Sequence, residues 1–167
     1  MRRAVAAECG GIINMNFRVP TLIFALLIPL SAADPNEPRF WSARQMKDMD
    51  SRISANIDPA RHLGSERFMD SAFELHRDGP SEGEIHDKLA HFIIVRSGEG
   101  ALLIGGKLIG AKVSAVDEQR GPSIEGGQKY PVSAGDVLYV PANTPHQFLV
   151  EPGKSLTATI VKITPKK

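Results

Sequence analysis

The sequence predicts an all-β fold: a small antiparallel barrel or jelly roll preceded by one N-terminal helix. Three observations carry this. From Ser65 onward the chain is a series of short apolar runs separated by Gly, Pro, Asn and Asp, the spacing of strands and tight turns. Only one earlier segment, residues 42–57, has the 3.6-residue apolar period of a helix. The chain has 167 residues, which once a leader is set aside suffices for one domain with one buried core.

The leader comes first. Val19 to Leu30 (VPTLIFALLIPL) is apolar, Arg18 precedes it, and Ser31-Ala32-Ala33 follows. That order reads as a secretory signal peptide over residues 1–33, cleaved after Ala33, and predicts a periplasmic or extracellular protein. The run is shorter than the about 20 apolar residues of a membrane span, so no membrane association is expected after cleavage. Starting at Met15 would give the signal ordinary proportions, and Arg2-Arg3 is only a weak twin-arginine signal. Cys9, the single cysteine, would leave with the signal, so the mature chain has neither disulfide nor thiolate ligand. Lys and Arg number 20 against 19 Asp and Glu, with no basic stripe, which argues against a nucleic-acid partner.

Residues 34–64 read as a polar segment with one amphipathic helix. Ser42 and Gln45 form a capping box, Trp41 and Met46 are placed as a hydrophobic staple, Met46, Met49, Ile53 and Ile57 share a stripe, and Pro59 ends the run. Packing is the expected role of such a stripe, as a lid over the outside of the barrel or as a dimer contact.

Residues 65–167 form the β domain. Met69 to Arg77 reads as a strand, broken by Asp78-Gly79-Pro80-Ser81. Phe92 to Val95 reads as a buried strand, and Ala101–Ile104 and Lys107–Val113 around Gly105-Gly106 as a hairpin. Ala115 to Gln128, polar with three glycines, reads as a long loop. Tyr130–Val132, Asp136–Val140, Gln147–Val150 and Leu156–Ile163 read as strands.

Four residues stand out chemically. Glu84 and His86 are two apart, so on a strand they leave the same face. His91 opens the apolar run, and His146 opens the strand that returns after Pro141 and Asn143, a residue tolerant of a left-handed turn. Three imidazoles and a carboxylate suit a divalent first-row metal (Fe, Mn, Ni, Zn or Co) with positions left for water or substrate.

The stretches around these residues resemble the cupin superfamily. Its second motif, G-x5-P-x-G-x2-H-x3-N, is matched at Gly135, Pro141 and His146, with Asn143 in place of the glycine and Val150 in place of the asparagine. Its first motif, G-x5-H-x-H-x3-4-E-x6-G, is matched at His86 and Gly98. Glu84 takes the first histidine position and His91 the glutamate position, so the two residue types trade places and the ligand inventory survives. Gly79 lies one residue out of register with the opening glycine. Motifs and flanking strands cover roughly residues 70 to 163. The resemblance implies a jelly-roll barrel, a metal held by Glu84, His86, His91 and His146, and a homodimer.

Around this set, Phe148 and Val150 share the face of His146, and Ile93 and Val95 that of His91, giving a small apolar pocket. Gln147 points away. His76, with Glu74 on its face, and His62 read as residues outside the site; Tyr130, Tyr139 and Glu125 are candidates for its mouth. The functional expectation is an exported metal-dependent enzyme acting on a small molecule by dioxygenase, decarboxylase, lyase or isomerase chemistry, with Glu84 doubling as the catalytic base. The alternatives are a non-catalytic cupin that captures a small ligand or metal, and a metal-free secreted structural protein.

Overall fold

A computed structural model describes residues 38–166, so the signal segment 1–33, with Cys9 and Met15, lies outside the described residues. Every described element belongs to the unit Phe40–Lys167. Its helix α1 spans Ala43–Ala55. The capping box forms: the Gln45 N–H donates to Ser42 Oγ at 3.2 Å, and the Ser42 N–H to Gln45 Oε1 at 2.9 Å. The helix stops at Asn56, before Pro59, because Asn56 donates its Nδ2 to the Arg52 carbonyl at 2.7 Å and its backbone N–H to that of Ile53. Met49 and Ile53 are the buried part of the stripe.

Among the described residues twelve strands follow. β1 (Leu63–Met69) and β2 (Ala72–Arg77) form a hairpin across Asp70-Ser71. Met69 to Arg77 is therefore not one strand, and the β structure begins at Leu63; Glu66 and Arg67 hide the alternation of β1. Trp41 packs edge-on against Phe68 of β1, ring centroids 5.2 Å apart, pinning the chain where it enters the helix. Next come β3 (Gly83–His86), β4 (Ala90–Ile104), β5 (Lys107–Ile109), β6 (Lys112–Ala115), β7 (Glu118–Gly121) and β8 (Ser123–Glu125). Then follow β9 (Gln128–Ser133), β10 (Val137–Val140), β11 (His146–Leu149) and β12 (Leu156–Ile163).

Ten of these strands form one curled antiparallel sheet in the order β1-β2-β12-β4-β11-β3-β7-β6, with β9 and β10 also on β4. β4 is the spine. Its first half lies between β12 and β10, its second between β11 and β9. Gly98 stands where β4 passes from one set of partners to the other. Its φ is 76°, and a Cβ there would lie 1.9 Å from the Ser155 carbonyl, so only glycine fits. The two halves enclose a core of Leu75, Ile93, Val95, Leu102, Phe148, Leu156 and Ile160, where a fully buried side chain of this size contributes about 1.5–3 kcal/mol.

Two expectations fail in the middle of the chain. Gly105 and Gly106, with φ of 82° and 78°, do not fold β5 back on β4; they turn the chain aside, and β5 pairs with β8 in a separate two-stranded sheet. The loop expected over Ala115–Gln128 contains β7 and β8, and β7 pairs with both β3 and β6. Its polar residues alternate across a strand, and composition alone conceals that.

The helix covers the outer face of β1 and β2. A Cβ on Gly64 would meet the Ile53 carbonyl at 1.9 Å, so β1 and α1 approach backbone to backbone. Under the helix, Arg96 bridges Asp50 (3.2 Å) and Glu74 (3.3 Å), and Thr159 Oγ1 donates to Glu74 at 2.6 Å. Burial pushes the Glu74 carboxyl above its ordinary pKa, the Thr159 and Arg96 interactions opposing it. His76 shares this outer face and contacts Thr157 Oγ1 at 2.8 Å.

Candidate metal centre

Glu84 and His86 come from β3, His91 from the start of β4, and His146 from the start of β11. Register brings them together. His146 is the cross-strand partner of Glu84, and cross-strand partners share a face. The turn before β11 is tied to β3: Asn143, at φ 58°, donates its N–H to the His86 carbonyl at 2.7 Å. The left-handed Asn143 expected from the sequence thus sets where His146 enters. His91 reaches the group from the opposite half of the barrel.

One donor atom from each of the four residues lies within 4.8 Å of the others. Glu84 Oε1 is 3.2 Å from His146 Nε2 and 3.8 Å from His86 Nε2, and His146 Nε2 is 3.2 Å from His91 Nδ1. All three imidazoles are at most 3% exposed. The set fits a cation on a further count: His86 Nε2, which faces Glu84, is a buried nitrogen with no hydrogen-bond partner, and a buried polar atom without one is costly. Burial, reinforced by the neighbouring His146 and His86, pushes the His91 pKa down to about 3. The imidazole is therefore neutral at physiological pH and free to act as a donor.

Outer contacts orient the donors. His146 Nδ1 lies 3.1 Å from the Thr144 carbonyl, which turns Nε2 inward. His86 Nδ1 lies 3.3 Å from Glu118 Oε2 and is oriented likewise. Arg120 holds Glu84 Oε2 at 2.6 Å and, through Nε, Glu118 Oε1 at 2.8 Å. Burial works against ionisation of Glu84, but His146, His86 and Arg120 hold its pKa well below the ordinary carboxylate range. That makes Glu84 a good ligand and a weak base.

Glu118 and Arg120 escaped the sequence reading because they lie in the presumed loop. The spacing Glu118-x-Arg120 was the available signal, since it puts both side chains on one face of a strand. In the β3–β7 pairing Arg120 stands opposite Glu84 and Glu118 opposite His86. Arg77, at the end of β2, was also missed. It is 5% exposed and lies over the Phe148 ring at 5.6 Å. Burial lowers its pKa to about 10, so it remains cationic at neutral pH.

A cavity of about 60 Å³ adjoins the cluster, bounded by Arg77, Glu84, His91, Arg120, Phe148 and Ile160. An outer pocket of about 440 Å³ opens beside it between Arg61, Arg77, Ser81, Glu82 and Arg120. A larger groove, about 740 Å³, touches none of the cluster residues.

The other sequence candidates fall outside. Gln147 donates to the Ser81 carbonyl at 2.7 Å, a structural contact. His62 pairs with Asp78 at 2.9 Å at the surface. Tyr130, Tyr139 and Glu125 are exposed and line neither the cavity nor its outer pocket. Among the described residues no helix is long and apolar enough to cross a membrane.

No protein-family model and no curated protein matches the sequence. Solved structures are similar in fold. The polyketide cyclase RemF from Streptomyces resistomycificus is 17% identical, with 63% of this chain and 68% of that chain covered and a TM-score of 0.44. A cupin 2 conserved barrel domain protein from Rhodopseudomonas palustris is 19% identical, with 67% and 59% covered and a TM-score of 0.40. The CENP-C cupin domain of Drosophila melanogaster is 9% identical, with 65% and 72% covered and a TM-score of 0.45. None is close enough to carry chemistry across, and fold alone does not imply function. The curled antiparallel sheet itself has the jelly-roll form that the motifs imply.

Proposed function

We propose that this chain is a metal-dependent cupin enzyme acting on a small molecule, with a divalent first-row cation held by Glu84, His86, His91 and His146. The observation that carries this is the convergence of three buried imidazoles and one ionised carboxylate beside a cavity with an outer pocket. A metal held there supplies Lewis-acid polarisation of an oxygen-bearing ligand. The chain's own residues do the rest. Glu118 and the Thr144 carbonyl orient two imidazoles, Arg120 keeps Glu84 ionised, and Phe148 and Ile160 present an apolar wall that limits water.

A specific observation favours a second reading, a binding module without turnover. Glu84 and Glu118 are both engaged by Arg120, so among the described residues that line the inner cavity no uncommitted carboxylate remains to act as a base. Elemental analysis of protein purified without a histidine tag tests the shared premise. Near-stoichiometric Fe, Mn, Ni, Zn or Co is expected, and no uptake even after reconstitution would refute it. Turnover assays with oxygen-bearing small molecules then separate enzyme from binder.

Export and self-association belong to the same proposal. The Val19–Leu30 run supports export, tested by N-terminal sequencing of the mature protein for a start at Asp34. Val137 and Tyr139, each more than half exposed, lie beside Phe92 and Ile94 on the outer face and support a homodimer, tested by sedimentation.

A further inference from the structure

Arg77 is the interior group that the metal reading leaves unused. Its Nη1 donates to the Arg61 carbonyl at 3.3 Å, while the buried Nε has no hydrogen-bond partner. The carboxylates of this interior, Glu84 and Glu118, both turn to Arg120. No carboxylate among the described residues forms an ion pair with Arg77, and Glu84 favours its charge only through space, so an anion from outside would supply the direct contact that the buried Nε lacks. Arg77 also has the position for it. With Arg120 it bounds both the inner cavity and the outer pocket, so a ligand reaching the cluster from that pocket passes the two guanidiniums.

We propose that Arg77 is a carboxylate-binding residue, and that the ligand of this site is a small organic acid with its carboxylate on the Arg77 guanidinium and its remainder against Phe148. The planar guanidinium fork matches a carboxylate through parallel N–H···O bonds. Charge points the same way. Around the cluster the guanidiniums of Arg77 and Arg120 are matched by Glu84 and Glu118, and Arg61 and Glu82 add one charge of each sign at the outer pocket, so a divalent cation at the cluster would leave positive charge uncompensated in a largely buried site. That favours an anionic ligand over a neutral one. The cation part of this argument rests on the metal reading; the unpaired Nε does not.

The test uses the metal-stripped, 15N-labelled protein and follows the Arg77 Nε–Hε resonance during titration with acetate, malonate, inorganic phosphate and, as a neutral isostere, acetamide. Metal uptake of each variant is measured separately. Saturable shifts with acetate and malonate but not with acetamide are expected. Arg77→Met should weaken acetate binding at least tenfold and Arg77→Lys by less, with metal uptake unchanged in both. The proposal is overturned if acetamide binds as well as acetate, if phosphate binds more tightly than either carboxylate, or if Arg77→Met leaves acetate affinity unchanged. If the variants do not fold, the wild-type resonance decides alone. Acetate binding at Arg77 in a protein that takes up no metal would support the carboxylate site and refute the metal centre.

Discussion

Glu118 touches no proposed metal position, yet replacing it should weaken metal binding. Its Oε2 lies 3.3 Å from His86 Nδ1 and its Oε1 2.8 Å from Arg120 Nε. Glu118→Ala frees the His86 ring to rotate and loosens the arginine that steadies Glu84. Loss of such an outer contact typically costs 10–100-fold in affinity, or about 1.4–2.7 kcal/mol. The metal-free fold should notice less, because the Glu118–Arg120 pair is partly exposed and worth no more than about 1 kcal/mol. The two effects separate in melts with and without metal. At a metal concentration 100 times the wild-type Kd, wild type gains about 2.7 kcal/mol. At the same concentration a site weakened 10- to 100-fold gains about 1.4 to 0.4 kcal/mol. Chelator-competition titration gives the affinities directly. A Glu118→Ala affinity within about threefold of wild type, or a loss of stability equal with and without metal, would refute the reasoning.

Further predictions follow from the same geometry. His86→Ala and His146→Ala should each abolish tight metal binding and leave a folded barrel by circular dichroism, while His76→Ala, on the outer face, should leave metal content unchanged. Gly98→Ala forces a side chain into a left-handed backbone against the Ser155 carbonyl and should cost about 2 kcal/mol or more, read as a lower urea midpoint. Because burial raises the Glu74 pKa, the folded state holds that proton more tightly than the unfolded chain. Its contribution is present below the unfolded pKa and is lost as pH rises through the folded one. Relative to wild type, Glu74→Gln in metal-free protein should therefore gain stability between pH 4.5 and pH 7 in paired urea titrations; an unchanged difference would contradict the buried placement.

The four-residue cluster was legible because its signals are local. Glu84 and His86 are two apart, His91 adjoins an apolar run, and the Pro141-to-His146 turn has its left-handed residue in sequence. The helix was legible for the same reason, through Ser42 and Gln45. What sequence concealed were long-range pairings. Nothing local says that β5 pairs with β8 and not β4, or that a glycine-rich polar stretch supplies β7. Arg77 was hidden differently. It ends a strand flanked by polar residues, where an arginine is ordinarily solvated, and long-range neighbours such as Phe148 from β11 cover it.

The placement of β12 has a consequence for synthesis. The last strand in the sequence inserts between β2 and β4. Until it emerges, the edges it will cover stay unpaired. Roughly 80 residues separate the end of β2 from the start of β12, which at about 5–20 residues per second leaves the edge of β2 open for about 4–16 s on the ribosome. Open edges invite pairing with other chains. A nascent chain of this topology therefore cannot close domain-first from its N-terminus, and a truncation within Leu156–Ile163 removes the middle of a sheet, not its margin.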